Sequence, residues 1–101
     1  MKLSDICKIS ELKIPGSDMV VKIRHYLPWF DFMEVVNTKD EIEKGKMMIL
    51  KSIESWNLTD DNGETLPIDL KTISELPGEI IIPITKRLNE ISEEKDVKKK
   101  S

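Results

Sequence analysis

The sequence predicts an α+β fold, with an N-terminal β-hairpin packed on about four α-helices in a single small domain. Three observations carry that expectation. A period-two apolar pattern rich in β-branched residues fills residues 11–26, and apolar residues at helical spacing fill most of the chain beyond it. The chain has 101 residues, a length that suits one domain with one core. Apolar residues make up 39% and charged residues 35%, so the core is modest and the surface strongly polar.

The hairpin comes first. Leu12 and Ile14 alternate with Lys13, and Met19, Val21 and Ile23 alternate with Val20, Lys22 and Arg24. Side chains of a strand point to its two faces in turn, so each run presents one apolar face. Pro15-Gly16 suits the centre of a type II turn, proline setting the first φ and glycine accepting the positive second one. Strands are expected over residues 11–14 and 19–26. Pro28 ends the strand pattern and opens a helix in "PWFDFMEVVN", closed by Asn37 or Thr38. Trp29, Met33 and Val36 share a face with Phe30 and Phe32 beside it. With aromatics at only 5%, Trp29, Phe30 and Phe32 are read as core anchors and this helix as largely buried.

"TKDEIEKGKMMILKSIESW", residues 38–56, reads as one helix. Thr38 and Glu41 have the spacing of a capping box, and Asp40 and Glu41 suit the positive end of the dipole. Ile42, Lys46, Ile49, Ile53 and Trp56 follow helical spacing, with Met47 and Leu50 widening the stripe. Gly45 costs about 1 kcal/mol against alanine in mid-helix, so it is expected to mark a close approach by another element.

A short helix with Asp69 at its N-cap and Leu70, Ile73 and Leu76 on one face is expected next. In the last helix Ile80, Ile84, Leu88 and Ile91 form a stripe. Pro83 removes one backbone hydrogen bond, so that helix either kinks there or begins there. Its stripe offers more apolar face than a small hairpin can cover, and Ile80, Ile81, Ile84, Leu88 and Ile91 are the expected partner surface. The domain is expected over residues 1–92, with 93–101 a charged, disordered tail.

The acidic stretch "SWNLTDDNGETLPIDL", residues 55–70, invites a cation-site reading. Placing Gly63 at the sixth position of a calcium loop puts Asp60 third and Asn62 fifth, as required. Leu58 then falls first, where an oxygen ligand is needed, and Asp69 falls twelfth, where glutamate is usual. A turn centred on Asn62-Gly63, with short extended arms to either side, is the better reading. A single cysteine, Cys7, forms no intrachain disulfide and no thiolate metal cluster, and His25 is the only histidine. No nucleophile signature or phosphate-binding glycine loop accompanies them. No catalytic, cofactor-binding or metal-ligating residue is therefore expected, and the chain is not expected to be an enzyme. A formal charge of −3 argues against general nucleic-acid binding, and the lysines at 98–100 are offset by Glu93, Glu94 and Asp96. With no apolar run near the length of a membrane span and no apolar signal region, a soluble intracellular chain is expected.

The run "WNLTDDNGETLPIDLKTISELPGEIIIPITKRLNEI" resembles the C-terminal region of small tail assembly chaperones of long-tailed phages and prophages. The features are Trp56, an acidic turn at Asp60 to Gly63, Leu66-Pro67, Leu76-Pro77 and the helix beyond. "IPGSDMVVKIR" is similar to the N-terminal element of that family, an Ile-Pro-Gly turn feeding a strand that ends in arginine, here Arg24. Pro83 departs from the uninterrupted last helix expected of the family. The resemblance implies a non-enzymatic protein of the host bacterial cytoplasm. Such a protein binds the tape measure protein, assists tail tube protein assembly and is absent from the finished virion. Self-association is compatible with that role. The alternative is a structural phage protein, a connector or minor tail subunit acting as a protein-interaction module.

Overall fold

The computed structural model describes the backbone of residues 2–100, and the side chains of those residues other than Ser4 and residues 95–100. The elements in chain order are α1 (Leu3–Ile6), β1 (Ile9–Lys13), β2 (Val20–Arg24), α2 (Trp29–Asn37), α3 (Glu41–Ser52), β3 (Ile53–Trp56), α4 (Leu70–Glu75) and α5 (Gly78–Lys100). The fold is α+β: one antiparallel sheet in the order β1-β2-β3, with the N-terminal hairpin supplying two strands and four helices following a single helical turn.

The hairpin forms as the pattern requires. Ile9 pairs with Arg24 and Lys13 with Val20. Gly16 has φ 77° and the Ser17 N–H donates to the Ile14 carbonyl at 3.3 Å, which closes a type II turn over Pro15-Gly16. Val21 and Ile23 on the central strand are fully buried, while Lys22 between them faces out. They share one core cluster with Ile14, Met19, Ile53, Trp56, Ile73, Ile84 and Ile91. One face of the sheet is thus covered by residues of α4 and α5, with Ile49 and Leu50 of α3 packed against the same cluster.

The helix expected over residues 38–56 is shorter at both ends. Its N-cap is Asp40, whose Oδ1 accepts from the Ile42 N–H at 2.8 Å and the Glu43 N–H at 3.1 Å. Thr38 instead ends α2, its hydroxyl donating to the Glu34 carbonyl at 2.8 Å. At the other end Ile53 turns extended, and residues 53–56 become the third strand, with Val21 opposite Trp56 and Ile23 opposite Ile53. A bulge between Lys22 and Ile23 absorbs one extra residue. Helical spacing of Ile49, Ile53 and Trp56 concealed this switch. What decides it is the open edge of β2, whose backbone groups need a partner. Asn57 secures the join: its side chain accepts from the Val20 N–H at 2.7 Å and donates to the Asp18 carbonyl at 3.0 Å.

Asp69 caps α4 as expected, its Oδ1 accepting from the Thr72 N–H at 2.8 Å. Hydrogen bonds from Thr72 hold its carboxyl below the ordinary aspartate value of 3.8. A depressed native value means the cap's contribution is complete above the unfolded value and fades as pH falls through the native one. Asp69→Ala should therefore lower the urea midpoint more at pH 7 than at pH 3, and equal losses at both would refute the assignment.

Gly45 is exposed in α3, and a Cβ there would meet nothing within 4 Å. Among the described residues no element approaches it, contrary to expectation. Gly45→Ala should thus stabilise the fold by about 0.5–1 kcal/mol, since only backbone entropy is at stake. Helix α5 runs from Gly78 through Pro83, so it begins well before the proline. The carbonyl deprived of its donor belongs to Glu79, an exposed residue in the first turn of the helix. Of the tail expected from residue 93, Glu93 and Glu94 continue the exposed side of α5, and 95–101 lie outside the fully described residues.

Candidate functional site

The acidic stretch is a compact hairpin. Gly63 N–H donates to the Asp60 carbonyl at 3.0 Å, and Asp60 N–H donates to the Glu64 carbonyl at 2.8 Å. Gly63 alone takes positive φ, 83°, so the loop is a type I turn closed by a glycine bulge, not a turn with Asn62 in the left-handed region. Thr59 bridges Thr65 on the arms. The Asp60 carboxylate accepts from the N–H groups of Asn62 at 2.8 Å and Glu64 at 3.0 Å, so its charge serves the turn itself. Among the described residues no group of three His, Cys, Asp or Glu side chains converges as a cation site would. The Trp56 indole N–H donates to the Leu66 carbonyl at 2.9 Å and ties the hairpin to the buried end of β3. Gly63→Ala should cost about 1–2 kcal/mol, since open space surrounds the position and only the left-handed backbone resists the methyl; a thermal midpoint equal to wild type would contradict this.

The stripe expected to face a partner packs mainly inward, with Leu88 and Ile91 also reaching the lining of a surface groove. Ile84 and Ile91 are buried in the core, and Ile80, Ile81 and Leu88 pack against it, leaving Ile82 as the exposed member of the isoleucine run. The third strand explains the correction, because a three-stranded sheet offers more apolar surface than a hairpin and α5 is needed to cover it.

Exposed apolar side chains gather on α2, while Leu3, Ile6, Ile9, Ile42, Met48 and Ile82 are exposed on other elements. Trp29 is 77% exposed, Phe30 71%, Val36 50% and Phe32 47%, against the expectation that the aromatics anchor the core. Trp29, Phe32 and Val36 recur at three- and four-residue steps and so share one helix face. The opposite face carries Val35, the buried residue of α2, together with Asp31 and Glu34. Both acids meet Lys51 of α3, Asp31 at 3.2 Å and Glu34 at 3.5 Å. The helix therefore shows solvent its aromatic side and fastens its acidic side to the domain.

Beside α2 lies a groove of about 410 Å³ whose lining includes the apolar Phe32, Met48, Leu88 and Ile91, the polar Ser52, Asn89 and Ser92, and Arg24 and His25. Arg24 Nη1 donates to the Lys51 carbonyl at 3.1 Å, and His25 Nε2 lies 2.8 Å from the Ser10 hydroxyl. Cys7 is a free, half-exposed thiol. No described helix is long and apolar enough to cross a membrane. Comparison of the chain with protein-family models, with curated proteins and with solved structures finds no match.

Proposed function

We propose that this chain is a non-enzymatic protein-binding module that acts as a phage tail assembly chaperone. In this reading it holds the apolar helices of a tape measure protein in the host cytoplasm while tail tube subunits assemble. The outward aromatic face of α2 carries the reading. Aromatic side chains present about 150–250 Å² each, so the exposures of Trp29 and Phe32 leave roughly 200–300 Å² of aromatic surface on the face they share with Val36, and Phe30 adds an exposed ring farther around the helix. Clustered exposed apolar side chains of this kind mark interaction sites. An amphipathic partner helix can lay its apolar stripe along this face. The ordered resemblance of Trp56, the acidic turn, Leu66-Pro67 and Leu76-Pro77 to that family supports the choice of partner.

Co-expression with a tape measure fragment tests it. The fragment should become soluble and co-purify with the chain; a fragment that stays insoluble and alone would sink the proposal. Mass spectrometry of purified virions gives the second readout, since a chaperone is absent and a connector or minor tail subunit is present.

A further inference from the structure

Arg24 stands out among the half-buried cations, since Lys44 and Lys46 are paired with Glu41 and Glu43 along α3. Lys51 is paired with Asp31 and Glu34, and Arg87 with Glu90 and Glu94. Among the described residues Arg24 takes part in no ion pair, and no Asp or Glu lines the groove with it. Its bond to the Lys51 carbonyl occupies one donor of the guanidinium fork and holds Arg24, a lining residue of the groove, in place beside α3. A half-buried guanidinium beside Phe32, Met48 and Leu88 complements a ligand that is apolar along its length and anionic at one point.

We propose that the groove takes an amphipathic helix of the partner protein, with an apolar side chain against its apolar lining and a glutamate or aspartate one turn away on Arg24. This deepens the partner-binding reading above and rests on it. The aromatic face of α2 is continuous with the groove through Phe32, so it supplies non-selective apolar area. Arg24 sets which helices are accepted and in which direction they lie. The acidic balance of the chain makes a nucleic acid a poor occupant of the same cation.

The probes are two stapled amphipathic peptides, identical except for one glutamate or glutamine bordering the apolar stripe, titrated against the full chain by fluorescence anisotropy. The glutamate peptide should bind about tenfold more tightly, R24Q should erase that preference, and R24K should keep it. Equal affinities for the wild-type chain, no binding of either peptide, or a preference that survives in R24Q would each overturn the proposal. So would a short single-stranded RNA that binds while the peptides do not. The peptide exchange leaves the protein untouched, so the preference is measurable whether or not R24Q folds. Loss of the preference with co-purification intact removes this inference alone. Failed co-purification with the preference intact removes the chaperone reading alone.

Discussion

Ile84→Ala is expected to lower the unfolding free energy by about 2–5 kcal/mol, the range for truncating a buried isoleucine. Ile84 has no exposed surface and sits in one cluster with Val21 and Ile23 of the central strand and Ile73 of α4. It is the most deeply buried of the α5 residues that dock on the sheet. Removing it leaves a cavity between the sheet and two helices, none of which can relax without disturbing the others. A domain of this size has a total margin of only about 5–15 kcal/mol, so a large part of its stability hangs on this side chain. Urea denaturation measures the effect. A loss under about 1 kcal/mol would mean that α5 does not dock on the sheet as described.

The opposite result is expected on α2. Trp29→Ser combined with Phe30→Ser should change stability by no more than about 0.5 kcal/mol, because both side chains already stand in water. The same double variant should lose co-purification with a tape measure fragment. A fall in thermal midpoint comparable to that of Ile84→Ala would show the aromatics to be core residues after all. Stable folding with undiminished co-purification would place the partner on another surface.

These two expectations reverse the roles that periodicity assigned to α2 and α5, and the reversal has a physical cause. Periodicity reports which residues share a face. It does not report what stands opposite that face. The stripe through Ile80, Ile84, Leu88 and Ile91 is correct as a stripe, but its destination depends on β3, which arrives from residues 53–56. Those residues keep helical spacing with Ile49, so nothing local separates strand from helix, and pairing with β2 decides. For α2 the contacts that hold it are buried Val35 and Lys51 with Asp31 and Glu34, the latter a link across separate helices. Aromatic residues are most often core, and here the side of the helix that docks carries Val35 and the two acids instead.

Short-range chemistry was far more legible. Pro15-Gly16 specifies its turn because only glycine accepts φ 77° without strain. Asp69 reads as a cap because its side chain answers an N–H three residues on. The acidic stretch reads as a turn because Leu58 stands where a cation would need oxygen. Its inner order, with Asp60 accepting from Asn62 and Glu64, follows from the same residues. The groove at Arg24 was beyond sequence reasoning, since its walls come from β2, α2, α3 and α5 and only tertiary packing joins them.

The attachment of α2 through Lys51 and Val35 separates two kinds of selection. Because the core cluster includes no residue of that helix, the aromatic face of α2 and the residues that keep the chain folded are drawn from separate sets. Substitutions on Trp29, Phe30, Phe32 and Val36 can accumulate without eroding the fold, and changes in the core leave the aromatic face as it was. A lineage whose partner changes quickly could retune recognition on one helix while inheriting its scaffold intact.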